Sequence, residues 1–354
     1  MKGIILSGGR GTRLRPLTFT SAKQLVPVAN KPVLFYGIET LVAAGIRDIG
    51  IVVGDTRAEI EAAVGDGSQW GVTVTYIRQH APLGLAHAVQ TAEPFLGNAP
   101  FVMYLGDNLL ARGIVPFVEE FVATKPAALI LLTPVPDPEQ YGVAETDGER
   151  VVRLVEKPKN PRSDLALVGV YMFGSAIFDS VRRIKPSFRN ELEITDAIQD
   201  LIERGLQVRW HVVDGWWKDT GRLEDMLEAN RLVLDTLSTR IDGTVDEASR
   251  VEGKVVVERG AVVSGSVVRG PVVIGHDARI RDAYVGPFTA IMRDVEISRA
   301  EIEHSIVMEG SRITDLDDRV TDSLIGRGVT IARRPGKPVA LRFMLGDRSE
   351  VGIC

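Results

Sequence analysis

A regular spacing of apolar, mostly β-branched residues in the second half of the chain is the feature that most constrains its fold. The intervals are mostly six residues, with some of five. A period of six serves neither an amphipathic helix, which repeats every ~3.6 residues, nor a plain strand, which repeats every ~2. It suits a β-helix, in which one apolar side chain per face points into a prism-shaped core. The spaced residues are Val251, Val257, Val263, Val268, Ile274, Ile280, Val285, Ile291, Ile297, Ile302, Val307 and Ile313.

A small β-sandwich of short strands is the alternative for this half, but irregular strands seldom sustain one period for so long. We therefore predict a β-helix over residues 251–332. Gly275 and Gly286 follow two of the spaced residues and are expected to ease the corners. Residues 333–354, with Pro335 and Pro338, break the period and are predicted to form a C-terminal appendage.

The first half alternates short β-branched runs with amphipathic stretches, which is typical of βαβ units. Parallel strands need such crossover helices, so an α/β fold with a Rossmann-like, mostly parallel sheet covered on both faces is expected. Its ligand cleft is predicted beyond the carboxyl ends of the strands. The predicted strands are Gly3 to Leu6, Ile49 to Val53, Val72 to Ile77 and Phe101 to Leu105; the predicted helices are Pro32 to Ala44, Arg57 to Val64, Leu85 to Ala92 and Arg222 to Thr236.

Composition excludes several classes of function. A chain of 354 residues exceeds one ordinary core, so two domains are expected, at 1–236 and 251–332, with a polar linker at 237–250. The formal net charge of -5 argues against a nucleic-acid-binding surface. The opening MKGIILSGG lacks the long apolar region of a signal peptide, and the single cysteine, Cys354, excludes a disulfide within the chain. We expect a cytoplasmic protein that binds neither nucleic acid nor a membrane.

A glycine-rich loop directly follows the first predicted strand. The run from Ser7 to Arg13 is not a P-loop, because no Gly-Lys-Ser/Thr follows, and Leu14 occupies the third glycine position of the dinucleotide fingerprint. The loop and its continuation concentrate positive charge in an acidic protein, at Arg10, Arg13, Arg15 and Lys23. The pattern indicates either a phosphate-binding loop or a solvated basic turn.

The run GGRGTRLRPLT, followed by AKQLVPVANKPVL, resembles the opening of the sugar-nucleotide pyrophosphorylases, specifically the glucose-1-phosphate thymidylyltransferase family. The resemblance covers Met1 to Arg231 by motif, and the second half matches the long form with a C-terminal left-handed β-helix of hexapeptide repeats. It implies a nucleotidyltransferase domain at 1–236 whose loop lies over the triphosphate. It further implies that Arg13 offsets charge on the β and γ phosphates and that Lys23 contacts phosphate. Nucleotide contacts are implied for Leu6, Gly8, Gly9, Gly11, Thr12 and Gln24.

Two further motifs concern the base and a metal. Family members read the base with a glutamine side chain and a glycine backbone, which implies Gln79 and Gly84 here, and a glutamine amide offers both a donor and an acceptor to thymine or uracil. The resemblance implies Asp107 and Asp219 as ligands of Mg2+, since two carboxylates with phosphate oxygens and waters suit this ion. The alternatives are an exposed polar Gln79, a turn aspartate at 107 and a helix cap at 219.

The sugar side of the resemblance implies contacts by Tyr141, Gly142, Glu156, Val168 and Gly169, with Lys157 pairing with the sugar phosphate. Glu193, in ELEITD, either binds substrate or caps the following helix.

The implied reaction is dTTP with glucose 1-phosphate to dTDP-glucose and pyrophosphate, catalysed by a homo-oligomer. A UTP-dependent uridylyltransferase is the nearest alternative, because thymine and uracil share the edge that Gln79 would read. Two more distant possibilities are a noncatalytic regulatory subunit and an added acetyl-transfer activity in the β-helix.

Overall fold

The computed structural model describes residues 1–9, 11–333 and 343–352 of the chain. Arg10 and, in the predicted appendage, residues 334–342 and 353–354 lie outside the described residues. The chain divides into two units. The first comprises Met1–Arg10, Ser21–Leu25 and Val33–Asp219, and the second comprises Gly11–Thr20, Val26–Pro32 and Thr220–Cys354.

Thirteen strands are assigned up to residue 219 of the described chain, and seven α-helices up to residue 234. The strands are β1 (Lys2–Ser7), β2 (Pro27–Val28), β3 (Lys31–Pro32), β4 (Asp48–Val53), β5 (Thr73–Arg78), β6 (Phe101–Leu105), β7 (Asn108–Leu110), β8 (Ala128–Pro134), β9 (Gly142–Asp147), β10 (Arg150–Glu156), β11 (Leu165–Phe173), β12 (Val208–Val212) and β13 (Trp217–Asp219). The helices are α1 (Val33–Ala43), α2 (Arg57–Val64), α3 (Leu85–Leu96), α4 (Val115–Thr124), α5 (Ala176–Arg183), α6 (Ile194–Glu203) and α7 (Leu223–Leu234).

A nine-stranded sheet forms the centre of the first unit, with the order β10-β9-β11-β6-β1-β4-β5 and with β8 pairing both β11 and β12. The neighbours β6, β1, β4 and β5 run parallel. Strand β11 runs antiparallel to β6 and β8, so the sheet is mixed where a mostly parallel one was expected. Its sequence hid this direction, because an apolar run buried on both faces looks the same in either orientation.

The sheet is covered on both faces, as predicted. Along β1, Ile4 and Leu6 join one apolar cluster, while Ile5 joins the other. This alternation follows from the two-residue period of a strand. Helices α3, α5 and α6 contribute to the first cluster, and α1, α2 and α4 to the second. The apolar runs of the sequence are therefore strands that are buried on both sides.

The second unit contains a left-handed β-helix made of three parallel sheets. The sheets have the strand orders β14-β17-β20-β23-β26-β28, β15-β18-β21-β24-β27-β29 and β16-β19-β22-β25. These strands are β14 (Arg240–Ile241), β15 (Thr244–Val245), β16 (Arg250–Glu252), β17 (Val255–Val257), β18 (Val262–Ser264), β19 (Val267–Arg269), β20 (Val272–Ile274), β21 (Arg279–Arg281), β22 (Tyr284–Val285), β23 (Thr289–Ile291), β24 (Glu296–Ser298), β25 (Glu301–Ile302), β26 (Ile306–Val307), β27 (Arg312–Thr314), β28 (Leu324–Ile325) and β29 (Thr330–Ala332).

The core of the β-helix confirms the spacing argument. All the regularly spaced residues belong to its apolar cluster, with Val251 partly buried at one end. Corresponding residues stack from coil to coil, as when Val263 pairs with Ile280 and Ile280 with Ile297. Each face thus buries one column of branched side chains, which is why one period persists.

The two glycines predicted to ease corners have a different role. Neither Gly275 nor Gly286 adopts a positive φ; the left-handed conformation falls instead on residues such as Asp277 and Asp294. A Cβ at Gly275 would lie 2.8 Å from the backbone nitrogen of Arg293 in the next coil. These glycines therefore permit close approach of neighbouring coils.

The segment 237–250, predicted as a linker, differs in the structure. It contains β14 and β15, which pair in parallel with β17 and β18, so the first coil starts inside it. Its polar composition hid these strands, because their residues are mostly exposed or half-buried, as with Ile241 and Val245.

Short segments from the N-terminal part of the chain also belong to the second unit. The amide of Ala29 donates to Oδ1 of Asn230 on α7 at 2.9 Å, and Nδ2 of Asn230 donates to the carbonyl of Phe288 at 2.9 Å. Nδ2 of Asn30 donates to the carbonyl of Ile291 at 2.7 Å. Backbone groups of the segment 26–32 and of the β-helix are thus held by two asparagine side chains.

Candidate active site

Asp107 and Lys23 form an ion pair beyond the carboxyl end of β6. The Lys23 ammonium group donates a hydrogen bond to the Asp107 carboxylate, and both side chains are largely buried. Glu59 on α2 accepts a hydrogen bond from the amide of Ala22 at 2.6 Å, which anchors the short segment that carries Lys23. A Cβ at Gly9 would lie 3.1 Å from Cε of Lys23, so the glycine lets the lysine pass close to the loop.

Burial and charge act in opposite directions on Asp107. Desolvation by burial would raise the pKa of its carboxyl group, but the Lys23 ammonium and hydrogen bonds to the carboxylate bring the pKa below its ordinary value. The carboxylate is therefore ionised at neutral pH and can act as an oxygen ligand for a cation.

Asn108 connects Asp107 to a distant strand. Its Nδ2 donates to Oδ1 of Asp107 at 3.1 Å, and its Oδ1 accepts from Nε1 of Trp217 at 2.6 Å. Strands β13 and β7 pair antiparallel with Asp219 opposite Asn108. Asp219 thereby lies on the neighbouring strand, beside the residue that follows Asp107. Sequence reasoning missed Asn108, although its place directly after Asp107 was a usable signal.

These residues fit a divalent metal that is completed by substrate. Asp107 and Asp219 supply hard carboxylate oxygens, and Mg2+ is usually held by one or two carboxylates together with phosphate oxygens and waters. Within the described parts of the chain, no group of three or more histidine, cysteine, aspartate or glutamate side chains is arranged to hold a metal. The two-carboxylate pair is accordingly the arrangement to test.

Gln79 follows β5. Its side chain contacts Gly84, the residue directly before α3, and His87 in the first turn of α3. Its Nε2 lies 3.3 Å from the carbonyl oxygen of Gly84 and 2.9 Å from Nδ1 of His87. Gly84 has a φ of +105°, and a Cβ there would overlap the backbone of Leu192. Only glycine fits this position, which explains its place in the motif. His87 was missed by sequence reasoning, since a lone histidine in a helix carries no signal.

The predicted sugar-binding residues converge around β9, β10 and the bulge of β11. A Cβ at Gly142 would lie 3.1 Å from Oε2 of Glu156, so the glycine leaves room for this largely buried carboxylate. The ring of Tyr141 packs edge-on against Trp217 with centroids 5.4 Å apart. Gly169 has a φ of +79° where the pairing of β11 shifts register, close to the Asn108 side chain.

Lys157 has a left-handed backbone, with a φ of +44°, and its amide donates to the carbonyl of Tyr141 at 2.9 Å. Its side chain is exposed. A non-glycine residue in this conformation is strained, which is often a feature of functional sites.

Arg189 was missed by sequence reasoning and lies among three carboxylates. Its guanidinium group is 3.3 Å from Glu156, 3.3 Å from Glu191 and 3.4 Å from Glu193. Ser187 donates to Glu193 at 2.8 Å, and Glu193 is 2% exposed. Burial raises the pKa of both Glu156 and Glu193. The negative charge of Glu193 raises the pKa of Glu156 further. The place of Arg189 two residues before the acidic ELE run was the available signal.

Other residues predicted to contact nucleotide or sugar lie in the second unit or have buried side chains. Gly11, Thr12 and Arg13 belong to the second unit, where Thr12 and Arg13 are exposed and Gly11 adopts a φ of +61°. The side chains of Leu6 and Val168 are buried in apolar clusters, so any substrate contact would come from their backbone. Gln24 is 1% exposed, and its Oε1 has no hydrogen-bond partner within the described residues. These contacts stay predictions.

Comparison with known proteins gives consistent matches. The family model for nucleotidyl transferases matches residues 2–236. A curated glucose-1-phosphate thymidylyltransferase of Streptomyces griseus is 55% identical over 354 residues, which is 100% of this chain and 99% of the relative. A Bacillus anthracis structure assigned to the glucose-1-phosphate thymidylyltransferases, solved with sucrose, is 38% identical with a TM-score of 0.64, covering 68% of this chain and 98% of that one. A UDP-glucose pyrophosphorylase complexed with UDP-glucose is 26% identical with a TM-score of 0.60, covering 66% and 98%.

Proposed function

The chain belongs to the nucleotidyl transferase family, and from that membership we propose that it transfers a thymidylyl group from dTTP to glucose 1-phosphate. It is an enzyme of the glucose-1-phosphate thymidylyltransferase class, and its products are dTDP-glucose and pyrophosphate. Identity of 55% over the whole length, β-helix included, to a glucose-1-phosphate thymidylyltransferase supports this class.

The reaction needs alignment and charge more than covalent help. A phosphate oxygen of glucose 1-phosphate attacks the α-phosphorus of dTTP in line, forming a new P–O bond. The bond between the α-phosphorus and its bridging oxygen to the β-phosphate breaks, and the electron pair leaves with pyrophosphate. Because the attacking phosphate is already anionic, no general base is required. Rate enhancement then comes from positioning and from cationic stabilisation of phosphate oxygens.

The ion pair of Lys23 with Asp107, joined through Asn108 to the Asp219 strand, is the observation that carries the assignment. Lys23 supplies positive charge to the α-phosphate region, and Arg13 offsets charge on the departing pyrophosphate. Lys157 and Arg189 flank Glu156 and bind the phosphate of the sugar substrate. Glu156 accepts hydrogen bonds from sugar hydroxyls.

Asp107 and Asp219 hold the divalent metal, which we take to be Mg2+. When bound, Mg2+ supplies Lewis-acid neutralisation of phosphate oxygens. Asn108 holds the Asp107 carboxylate in place by its amide, and its own orientation is set by Trp217. These two hydrogen bonds orient the carboxylate for the cation.

The base is thymine in this proposal, with uracil as the second candidate. Gln79 accepts a hydrogen bond from N3–H, which both bases carry, and the likeness to a UDP-glucose pyrophosphorylase keeps UTP as an alternative. We further propose that the enzyme is a cytoplasmic homo-oligomer. No helix among the described residues has the length and apolar character to cross a lipid bilayer.

A matrix of nucleoside triphosphates against sugar 1-phosphates, with Mg2+ present and pyrophosphate release as readout, tests the assignment. The highest kcat/KM is expected for dTTP with glucose 1-phosphate. A higher value for UTP would establish the uridylyltransferase alternative. No turnover with any pair by a folded protein would favour a noncatalytic subunit.

A further inference from the structure

The side-chain amide of Gln79 has both of its hydrogens committed inside the protein. The carbonyl of Gly84 can only accept a hydrogen bond, so the amide atom 3.3 Å from it is the nitrogen, Nε2. The second hydrogen of Nε2 is directed to Nδ1 of His87 at 2.9 Å. Each of the two N–H groups of the amide thus has one acceptor, the Gly84 carbonyl or Nδ1 of His87.

This geometry decides the protonation of His87. A ring nitrogen that receives an N–H donor carries no proton itself, so Nδ1 is the acceptor and the proton of the neutral ring is on Nε2. Burial lowers the pKa of His87, which keeps the ring neutral at neutral pH. A ring protonated on Nδ1 would oppose two N–H groups and break the contact.

The remaining polar atom of the amide, Oε1, lies on the side of the glycine-rich loop. A Cβ at Gly8 would be 3.0 Å from Oε1, so the absence of a side chain at residue 8 keeps this oxygen clear. Gln79 therefore offers an acceptor alone, where the sequence suggested a donor and an acceptor together.

We propose that His87 is a positioning residue for base selection: by accepting from Nε2 of Gln79 it fixes the amide with Oε1 outward, so that the site reads an N3–H donor. This inference rests on the proposed function, in which Gln79 contacts the base. Thymine and uracil carry N3–H, whereas N3 of cytosine is an acceptor and would meet Oε1 with two lone pairs opposed. Discrimination against cytidine nucleotides then depends on an amide that cannot rotate.

Substitution at residue 87 separates this role from packing. In His87→Leu the acceptor is lost and the Gln79 amide can turn, so KM for dTTP is expected to rise about tenfold, the order of effect that one lost oriented hydrogen bond produces. The value of kcat should stay within about twofold, and the ratio of kcat/KM for dTTP over dCTP should fall about tenfold. His87→Gln restores an acceptor and should return the ratio to within about threefold of the wild-type value. His80→Leu, at an exposed histidine next to Gln79, is the matched control.

A folded His87→Leu protein with unchanged KM and an unchanged dTTP/dCTP ratio would overturn the inference. If the wild-type enzyme released no pyrophosphate from dTTP and glucose 1-phosphate, the proposed function would be contradicted instead. Should His87→Leu not fold, 15N spectra of histidine-labelled wild-type protein decide the question, with the His87 signal identified by its loss in His87→Gln. The inference requires the Nε2–H tautomer at neutral pH, and a proton on Nδ1 would refute it.

Discussion

Lys23 donates a hydrogen bond to the carboxylate of Asp107, and the two residues are brought together from segments 84 positions apart. The pair combines a cation suited to phosphate with an anion suited to a metal. Phosphate and metal sites are adjacent in nucleotidyl transfer, so this pairing brings the phosphate-binding cation and the metal-binding anion together.

Asp107→Asn should lower kcat by on the order of a hundredfold or more, because the amide is a poor metal ligand of the same volume. The melting temperature is expected to fall as well, because the largely buried Lys23 ammonium loses the Asp107 carboxylate, so turnover is measured below the melting temperature of the variant. Pyrophosphate release at saturating substrates measures the effect, and Asp214→Asn, at an exposed aspartate, serves as the control. Near-wild-type turnover in folded Asp107→Asn would remove Asp107 from the metal site.

Arg189→Ala and Lys157→Ala should each raise KM for glucose 1-phosphate about tenfold or more, while KM for dTTP changes less than about threefold. The reason is that both cations flank Glu156 and face the sugar phosphate in the proposal. Lys159→Ala alters a nearby exposed lysine and should leave both constants unchanged. An increase confined to dTTP would assign these cations to the nucleotide.

Glu193→Gln should stabilise the protein at pH 7. Burial raises the pKa of Glu193 above 4.5, so the folded state binds the proton more tightly than the unfolded chain does. The folded protein therefore loses stability as pH rises from 4.5 through the raised pKa, and glutamine removes that loss while still accepting from Ser187.

Melting temperatures of Glu193→Gln and wild type measure this effect, with a gap at pH 7 that closes as pH falls below 4.5. Glu191→Gln, at a more exposed glutamate, is the control. A lower melting temperature for Glu193→Gln at pH 7 would mean that its ion pair with Arg189 outweighs the desolvation of the charge.

Asn230→Ala should destabilise the second unit by about 2 kcal/mol or more, because it leaves the amide of Ala29 and the carbonyl of Phe288 without a side-chain partner. Asn230 is fully buried, so water cannot replace it cheaply. Denaturant unfolding measures the change, with Glu224→Ala, on the exposed side of α7, as the control. A change below about 0.5 kcal/mol would show that the two backbone groups find other partners.

Removal of residues 237–354 should leave measurable pyrophosphate release, because the residues proposed for chemistry all precede that cut. The melting temperature should fall, since Asn30 loses the Ile291 carbonyl and the apolar residues of α7 lose their cover. Light scattering should detect smaller particles if the β-helix faces mediate self-association. A soluble, folded truncation with no activity would assign the β-helix a part in the site.

The sequence by itself determined the local elements and the classes of chemistry. Helix α2 and strand β6 have their predicted bounds, and every regularly spaced residue from Val251 to Ile313 lies in the core of the β-helix. Such features are predictable because backbone geometry fixes how often a side chain returns to the same face. Asp107 at a strand end followed from the same reasoning.

Only the tertiary structure decided which distant groups meet. Asn108 reaches Trp217 across 109 positions, Arg189 joins Glu156 from another segment, and Nδ1 of His87 lies 2.9 Å from Nε2 of Gln79. The sequence likewise offered no sign that β11 runs antiparallel to β6 or that the first coil of the β-helix begins within residues 237–250. Each of these polar side chains and short strands has many partners compatible with local preference. Packing of the whole chain selects one of them, because an unpaired polar group in the interior is costly.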